Sequence, residues 1–349
     1  MKILVDITHP AHFHFFRNAI TEWKKHGHEV FITTRKKDIT IDLITAFGWK
    51  HKELGQLYKG GLLGLGRELI QRDLALIHYA QKVRPDVMCA VGGIFVAHAG
   101  LFLRIPSLVF YDTEHANLQN RLTYPFATKV LTPDCYKGWV PKRKHFMYPG
   151  YHELAYTHPN RFRPDPEALL PFGLLPGDNF IIMRLVLWQA THDLNDKGIS
   201  DVVDMVEKLS RYGRVLISSE RGLPDFLARY QVTIRPELMH HLLAYARLFI
   251  GESATMASEA ACLGTPAVFI STSIRSYTSE QERRYGLAFT FSSPNTCQVD
   301  GLSKGLEILR DPDSKRKWIR KRDCMLQDKI DVTRFIVDIV EEAARDGCL

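Results

Sequence analysis

The segment from Ala246 to Ile270, ARLFIGESATMASEAACLGTPAVFI, places small and polar residues between two apolar runs. It predicts a strand, a turn, a short Ala-rich helix and, after a Gly-x-Pro step, a second strand. At the turn, Ser253, Ala254 and Thr255 keep bulk away from the backbone, so the first N–H groups of the helix can point at an anion. The helix dipole favours negative charge at the same place. The turn therefore predicts a site that fits a nucleoside diphosphate.

The same helix carries one carboxylate, Glu259, about one turn beyond its start. Its neighbours along the helix are small and apolar, and a carboxylate is unexpected there unless it bonds a group such as a ribose diol. Ser253 or Thr255 can cap the helix, and Met256 completes the turn that would hold the diphosphate. The alternative is an ordinary capped helix in a parallel-sheet protein.

Arg184 is a second candidate for anion chemistry. It lies in the apolar run IIMRLVLW, where an unpaired cation would be costly. Because Arg binds phosphate bidentately, we expect Arg184 to neutralise a leaving diphosphate. The alternative is a buried ion pair between Arg184 and an Asp or Glu.

Three histidines, His9, His12 and His14, follow the first predicted strand in the sequence THPAHFHFF. Histidine changes charge near neutral pH, which suits it to proton transfer. The three residues also have the right type for a metal site, but no clear partner carboxylate lies nearby in the sequence. A structural role for these histidines is the third interpretation.

Two other strand ends carry candidate residues. Gly92 and Gly93 either let the backbone approach a ligand or form a tight turn with positive φ. The later loop DTEHANLQNR contains Asp112, Glu114 and His115. A loop this polar would also be ordinary on any protein surface.

The elements that must position these residues are strands alternating with helices. Strands at Lys2 to Ile7 and Glu29 to Thr33 flank a helix predicted from Phe13 to His26. Later elements keep a spacing typical of a parallel sheet, and a strand at Phe180 to Leu185 begins a second such set. The expected class is α/β, and the candidate residues fall at the carboxyl ends of strands, where open α/β sheets bind ligands.

A Pro-rich stretch separates the two sets of elements. The domain organisation that we expect is a first domain over residues 1–150, a linker leading into the second domain over 151–178, and a second domain over 179–349. The chain has 349 residues, of which 45% are hydrophobic and 24% are charged, so two domains can each bury a core.

Six cysteines occur without a C-x-x-C spacing, so neither a zinc site nor a disulfide framework is expected, and a reduced, cytoplasmic compartment fits. The apolar run at the N-terminus is too short for a signal peptide, and no run approaches the roughly 18 apolar residues of a spanning helix. We therefore expect a protein that is neither secreted nor integral to a membrane.

The net charge of +7 calls for an anionic partner or an exposed basic surface. No nucleic-acid motif accompanies it, so nucleic acid is not expected. The basic run from Ser314 to Arg322, SKRKWIRKR, is typical of a solvated helix face. The alternative is contact with a membrane surface.

The order of Ser253, Ala254 and Thr255, then Glu259, then Leu-Gly-x-Pro resembles the donor-site element of two-domain sugar-nucleotide enzymes of the GT-B fold. These include UDP-N-acetylglucosamine 2-epimerases and the transferases that form lipid II. Residues 84–122 resemble the same region of the lipid II-forming transferases. The segments HPAHFHFFRN and MRLVLWQATHD are similar to a family of predicted glycosyltransferases of unknown specificity, and the resemblance covers nearly the whole chain.

This resemblance implies two Rossmann-like domains facing across a cleft, with the acceptor side on the first domain and the donor side on the second. It favours His12 as the catalytic base, with His14 as the alternative because the alignment is uncertain by two residues. Asp112 or Glu114 would be an alternative base. The remaining acceptor-side positions are Gly92, Gly93 and His115.

On the donor side, the stretch from Val232 to His241 resembles the one whose backbone contacts the nucleobase, so Ile234 and Arg235 are candidates for base contact. Glu280 and Gln281 occupy positions where relatives contact the sugar. The alternative for these two residues is a solvated helix start.

The resemblance implies a glycosyltransferase that moves a sugar from a UDP-sugar to a glycan or lipid-linked acceptor in the synthesis of cell-surface glycans or glycolipids. Its location would be the cytoplasm, including the inner face of the cytoplasmic membrane. No cofactor and no metal are expected, since GT-B enzymes do not generally need a bound metal.

Two alternatives stay open. The first is an isomerase or hydrolase similar to the 2-epimerases, and the second is a non-catalytic protein that binds nucleotide sugars. The chain departs from the epimerases in having ITHPAH where they carry Gly-Thr-Arg-Pro-Glu, and in lacking a His-Arg-x-Glu-Asn segment. Ala254 and Thr255 also replace the usual Gly-Gly of the phosphate turn.

Overall fold

A computed structural model describes residues 1–35, 38–55, 61–114, 116–186, 198–220 and 222–347. The chain divides into two compact units. The first unit comprises Met1–Tyr156 together with Asp331–Leu349, and the second comprises Thr157–Ile330.

In the first unit, the described residues form a parallel sheet with the strand order β3-β2-β1-β4-β5-β6-β7. The strands are β1 (Lys2–Ile7), β2 (Glu29–Thr34), β3 (Lys52–Glu53), β4 (Val87–Val91), β5 (Ser107–Phe110), β6 (Lys129–Pro133) and β7 (His145–Tyr148). Most residues of the central strands β1, β4 and β5 are buried, as expected of a parallel sheet that helices cover on both faces.

The helices that precede or follow these strands are α1 (Pro10–Lys25), α2 (Asp38–Ala46), α3 (Gly61–Val83), α4 (Ile94–Leu103), α5 (Asn117–Thr123) and α6 (Leu154–Thr157). The helix α1 buries a continuous apolar stripe because Phe13, Phe16, Ile20 and Trp23 recur at helical spacing. The first unit therefore has the predicted alternation of strands and helices.

The second unit contains a parallel sheet with the order β12-β11-β10-β8-β9. Its strands are β8 (Phe180–Leu185), β9 (Arg214–Ser219), β10 (Leu248–Gly251), β11 (Ala267–Ile270) and β12 (Ala288–Phe291). Its helices are α7 (Val202–Leu209), α8 (Pro236–Tyr245), α9 (Ala254–Cys262), α10 (Ser276–Tyr285), α11 (Cys297–Arg310) and α12 (Ser314–Asp328). Two 3₁₀ helices cover Pro166–Phe172 and Asp225–Tyr230. The two sheets confirm the predicted α/β class.

The last helix, α13 (Val332–Asp346), belongs to the first unit. Its apolar stripe includes Ile336 and Val340, which are fully buried, and the ring of Phe335 stacks on that of Tyr148 at 4.7 Å. The expected division placed residues 179–349 in one domain, whereas the chain returns to the first unit at Asp331. The reason is packing, because an amphipathic helix joins whichever sheet layer covers its apolar stripe.

The basic helix α12 packs through its aromatic residue. Trp318 is buried, and its indole N–H donates to the carbonyl of Leu287 at 2.6 Å. Arg316 and Lys317 of the same helix are exposed. This arrangement agrees with the interpretation of a solvated basic face. In the described part of the chain, no helix is long and apolar enough to cross a membrane.

Candidate functional site

In the second unit, the helices α8 and α9 run parallel and begin at the same edge of the sheet. Near their far ends, the Thr265 hydroxyl donates to the carbonyl of Leu243 at 2.6 Å. Closer to their starts, Nε2 of His240 on α8 lies 3.1 Å from Oε1 of Glu259 on α9. Since α9 follows β10 directly, both helices start at the carboxyl edge of the sheet. This is the edge at which open α/β sheets bind ligands.

The start of α9 has the geometry that its sequence predicts. Ser253 has an extended backbone and caps the helix, since its Oγ accepts the N–H of Met256 at 3.3 Å. The N–H groups of Ala254 and Thr255 have no acceptor within a helix that begins here. Both residues are only half-buried. A small, capped helix start of this kind can hold an anion.

Close packing requires the glycine before this turn. A side chain at Gly251 would place its Cβ 2.4 Å from the carbonyl oxygen of Arg184 on the neighbouring strand. Because Gly251 pairs with Arg184 across β10 and β8, the start of α9 and Arg184 lie side by side at the sheet edge. Both are predicted to contact the same diphosphate, and the structure brings them together.

Glu259 is almost fully buried, as is its partner His240. An ionised carboxylate only accepts hydrogen bonds, so this contact requires a proton on Nε2 of His240. His240 has no sequence signal for this role, because 19 residues and a strand separate it from Glu259. Burying a carboxylate is costly unless it is paired, and the imidazole supplies part of that pairing.

Arg184 makes an ion pair, the alternative considered from its sequence. Its Nη1 donates to Oγ of Ser218 at 2.7 Å, and its Nη2 pairs with the carboxylate of Glu220. The Glu220 side chain is half-exposed, with 48% of its surface accessible to solvent. A phosphate approaching Arg184 would therefore meet a guanidinium that a partly solvated carboxylate already holds in place.

Glu252, which follows β10, is a buried residue that the sequence analysis missed. Its carboxylate accepts the N–H of Val186 at 2.8 Å and that of Ile199 at 2.6 Å. A Cβ at Gly198 would lie 2.2 Å from its Oε1, so glycine is needed there. Residues 187–197, which include most of MRLVLWQATHD, lie outside the described residues. Glu252 thus holds Val186 and Ile199 next to the start of α9.

The predicted sugar-contact residues differ in their surroundings. Gln281 on α10 is fully buried, and its amide donates to Oγ of Ser258 on α9 at 2.8 Å. Glu280 pairs with Lys329 at 2.9 Å and lies 3.7 Å from Arg284. These contacts attach α10 to α9 and to the end of the unit.

The predicted base-contact residues precede α8. Ile234 is half-buried, whereas Arg235 is exposed and lies 3.4 Å from Glu237. Because α8 and α9 begin at the same edge, Ile234 and Arg235 share that edge with Ser253. The structure thus brings the nucleobase candidates and the diphosphate candidates to one end of the second unit.

In the first unit, His12 and His14 lie in α1, and His9 immediately precedes it. The helix α1 begins at Pro10 instead of Phe13, because the His9 side chain caps it by accepting the N–H of Ala11 at 3.2 Å. Pro at the first helical position needs no acceptor for an N–H. His12 is half-buried, and its Nδ1 lies 3.2 Å from the Thr8 hydroxyl.

His14 has packed surroundings. It is buried, its ring lies 5.5 Å from that of Tyr156, and its Nδ1 lies 3.4 Å from Arg17. His12 therefore lies at the carboxyl end of β1 with the greater access to solvent.

Asp112 and His152 form a pair at the same edge of the first sheet. Oδ2 of Asp112 lies 3.4 Å from Nδ1 of His152, and the Thr113 hydroxyl donates to Oδ1 at 3.0 Å. Burial lowers the pKa of His152, while the charge of Asp112 partly opposes that shift. A neutral His152 can donate its Nδ1 proton to Asp112. His152 has no sequence signal for this role, because it is 40 positions from Asp112 and reaches it only through folding.

Glu114 has buried carboxylate oxygens for which the described residues offer no hydrogen-bond partner. Its charge contributes, after burial, to the raised pKa of the nearby Tyr136 hydroxyl. The adjacent residue, His115, was a predicted acceptor-side position and lies outside the described residues.

The Gly92-Gly93 turn has positive φ at both residues, 76° and 40°. A Cβ at Gly93 would lie 2.5 Å from the Val109 side chain. The Tyr111 hydroxyl donates to the carbonyl of Gly92. The two glycines therefore form the tight turn with positive φ. A ligand-facing role for the same turn stays a prediction.

A model of the family described as "Protein of unknown function (DUF354)" matches residues 1–344. The chain belongs to the DUF354 family. It is also 22% identical over 280 residues to the uncharacterized protein MJ0665 of Methanocaldococcus jannaschii. The aligned region covers 77% of this chain and 81% of that protein.

Solved structures share the fold of this DUF354 chain at low identity. The UDP-GlcNAc 2-epimerase of Neisseria meningitidis, solved bound to UDP-GlcNAc, is 13% identical with a TM-score of 0.71, covering 98% of this chain and 100% of that one. The glycosyltransferase SsfS6 of Streptomyces sp. SF2575 is 12% identical with a TM-score of 0.60, covering 96% and 99%. The DUF354 chain therefore has two Rossmann-like domains of the GT-B fold.

Proposed function

We propose that this DUF354 chain is a glycosyltransferase that moves a sugar from a UDP-sugar to the hydroxyl of a glycan or lipid-linked acceptor. The proposed setting is the synthesis of cell-surface glycans or glycolipids on the cytoplasmic side of the membrane. The observation that carries the proposal is the capped start of α9 beside the buried Glu259. Neither a cofactor nor a metal takes part in the proposed reaction.

On the donor side, the N–H groups that open α9, from Ser253 to Met256, would hold the diphosphate. Arg184 would neutralise the charge that develops on it as the sugar leaves, which is electrostatic stabilisation by a group already in place. Glu259 would accept hydrogen bonds from the ribose hydroxyls. His240 would keep that carboxylate oriented, since its imidazole already occupies one of the two oxygens.

Ile234 and Arg235 would contact the nucleobase at the start of α8. Glu280 and Gln281 would contact the sugar. In the structure, Glu280 pairs with Lys329 and Gln281 donates to Ser258, and both contacts also hold α10 in place. For Glu280, the ion pair with Lys329 must loosen or be shared before a sugar hydroxyl can use the carboxylate.

On the acceptor side, His12 or Asp112 would remove the proton from the acceptor hydroxyl. The Asp112 side chain is 22% exposed, whereas that of His152 is 9% exposed, so Asp112 is the member of this pair that a substrate can reach. His152 would act as a positioning residue by donating to the carboxylate. His14 and Glu114 are further candidates for the base, and Gly92, Gly93 and His115 belong to the acceptor side.

A second candidate function is that of a UDP-N-acetylglucosamine 2-epimerase or a related hydrolase. The fold similarity to the Neisseria meningitidis epimerase, with a TM-score of 0.71, favours it. Both functions use one donor site, and they differ in the acid and base groups that act on the sugar ring. A chain that binds the nucleotide sugar without turnover is the third alternative.

Product analysis distinguishes these functions. The purified chain is incubated with UDP-GlcNAc and other UDP-sugars, with and without candidate acceptors, and products are separated by chromatography and identified by NMR. UDP release that requires an acceptor supports the transferase, and a sugar epimerised at C2 supports the epimerase. UDP with free sugar, independent of acceptor, supports a hydrolase. Failure to bind any nucleotide sugar would overturn the proposal.

A further inference from the structure

A cluster of metal-ligating side chains lies in the first unit, away from the site described above. It joins the turn between α1 and β2 to the last helix, α13. Nδ1 of His26 and Nε2 of His28 lie 2.8 Å and 3.2 Å from the same carboxylate oxygen of Glu341. This turn precedes β2, so the cluster lies at the amino edge of the sheet, opposite the edge that carries Asp112.

Backbone hydrogen bonds define the turn that carries the two histidines. The N–H of His28 donates to the carbonyl of Trp23 at 2.9 Å, and the N–H of Gly27 donates to that of Lys24 at 3.1 Å. These two bonds are those of a Schellman motif, which ends a helix with a left-handed residue. Gly27 supplies that residue with φ of 81°. His26 and His28 lie on either side of Gly27, and their side chains meet at the same oxygen of Glu341.

The third ligand comes from a distant part of the chain. Glu341 lies on α13, which the packing of Ile336 and Val340 holds against the first unit. Its carboxylate oxygen Oε1 is the atom that both imidazoles contact.

We propose that His26, His28 and Glu341 bind a zinc ion, which ties α13 to the turn between α1 and β2. Two imidazoles and a carboxylate are a usual zinc donor set, and three protein ligands leave the fourth position to water. The three ligand atoms lie within 4.8 Å of one another. Tetrahedral zinc with bonds of about 2.0–2.1 Å separates its ligand atoms by about 3.3 Å, so small side-chain rotations suffice.

The site is open enough to load. The His26 side chain is 43% exposed, whereas those of His28 and Glu341 are 13% and 17% exposed. An ion can therefore enter beside His26 and reach two ligands that the surrounding structure shields. A bound ion would link the final helix to the unit from which the chain departs at Thr157.

The competing account is a purely hydrogen-bonded trio in which both imidazoles contact Glu341 and no ion binds. The two accounts differ in their response to metal, because only a metal site takes up zinc through these three side chains.

The experiment titrates zinc into chelator-treated protein at pH 7.5 by calorimetry, with cobalt absorption as a probe of tetrahedral geometry. The variants are His26→Gln, His28→Gln and Glu341→Gln, and the matched control is His78→Gln, an exposed histidine on α3. We expect one zinc per wild-type chain, affinity lowered at least about tenfold in each cluster variant, and no change in the control. Circular dichroism checks that each variant folds.

Hydrogen exchange of α13 gives an independent readout. Zinc should slow exchange in residues 332–346 of the wild type and leave the exchange of the Glu341→Gln variant unchanged. The proposal is overturned if wild type and the His26→Gln/His28→Gln double variant take up zinc with equal stoichiometry and affinity. It is also overturned if the wild type takes up no zinc.

Discussion

Nε2 of His240 lies 3.1 Å from Oε1 of Glu259, and both side chains are almost fully buried. This contact connects α8, which follows the predicted nucleobase residues, to α9, whose start is the predicted diphosphate site. It fixes the spacing between the two parts of the proposed donor site. It also explains how the second unit tolerates a carboxylate on a helix of small apolar residues.

The first prediction concerns Glu259. Glu259→Gln keeps the size of the side chain but removes the charge, and a hydrogen bond to a charged group is worth about 1.5–3 kcal/mol. We therefore expect affinity for the cognate nucleotide sugar to fall by about 10- to 100-fold in calorimetry. The matched control is Glu307→Gln, an exposed carboxylate on α11 that pairs with Lys304. A folded Glu259→Gln variant with wild-type affinity would exclude Glu259 as a ribose ligand.

The second prediction separates the cap of α9 from its role toward an anion. Ser253→Ala removes the side-chain acceptor for the N–H of Met256 and should lower the free energy of unfolding by about 1 kcal/mol in urea. Ser253→Asp keeps a capping oxygen, so stability should be retained, but its negative charge should repel a diphosphate. Parallel losses of stability and affinity in both variants would contradict an anion site at this turn.

The third prediction concerns the pair of Asp112 and His152. Asp112→Asn should lower kcat by about 10²- to 10⁴-fold, the usual contribution of a general base. His152→Gln should have a smaller effect on kcat, since His152 only positions the carboxylate. If His12 is the base instead, His12→Gln rather than Asp112→Asn will carry the large loss.

The pH profile tests the role of His152 more specifically. Burial lowers the pKa of His152 below its ordinary 6.5, so the side chain is neutral above that pH and gains a proton only as the pH falls further. A protonated His152 strengthens the ion pair and makes Asp112 a weaker base. The wild-type rate should therefore fall along an acid limb below pH 6.5 that His152→Gln lacks. An unchanged limb in that variant would assign it to another group.

The fourth prediction concerns stability. Burial lowers the pKa of Lys315 on α12 to about 7, although its ammonium donates to the carbonyl of Ala246 at 3.2 Å. Between about pH 7 and the ordinary 10.5, the unfolded chain binds this proton and the folded chain does not. Stability should therefore rise with pH by at most about 1.4 kcal/mol per unit from this group. Urea unfolding of Lys315→Met at pH 7 and pH 9 should show a smaller rise than the wild type, and an equal rise would contradict the shift.

The sequence predicts the elements of this fold better than their assembly. The strand Phe180–Leu185 and the cap at Ser253 follow from apolar runs and small residues that are local in the chain. The unit that α13 joins does not, because an apolar stripe predicts that a helix is buried without identifying the surface that buries it. The start of α1 shifts to Pro10, since a histidine cap is weaker as a sequence signal than Ser, Thr, Asp or Asn.

In the candidate site, too, the sequence predicts local features but not the contacts between distant residues. Glu259 stands out in the sequence because a carboxylate is unusual among Ala residues. His240, His152 and Glu252 do not, because each becomes significant only through a partner that folding brings near. Arg184 also stands out in the sequence, because it is a charged residue in an apolar run. Its partner Glu220 does not, because it lies 36 residues further along the chain.

The central claim is a nucleotide-sugar site at the start of α9, and calorimetric titration with UDP and UDP-sugars tests it most directly. The titrations use the wild type, Arg184→Ala and Glu259→Gln, with and without magnesium, alongside the Glu307→Gln control. We predict binding without magnesium that both site variants weaken at least tenfold and the control leaves unchanged. If no UDP compound binds the wild type, or if the site variants bind as the wild type does, the donor site is not at α9.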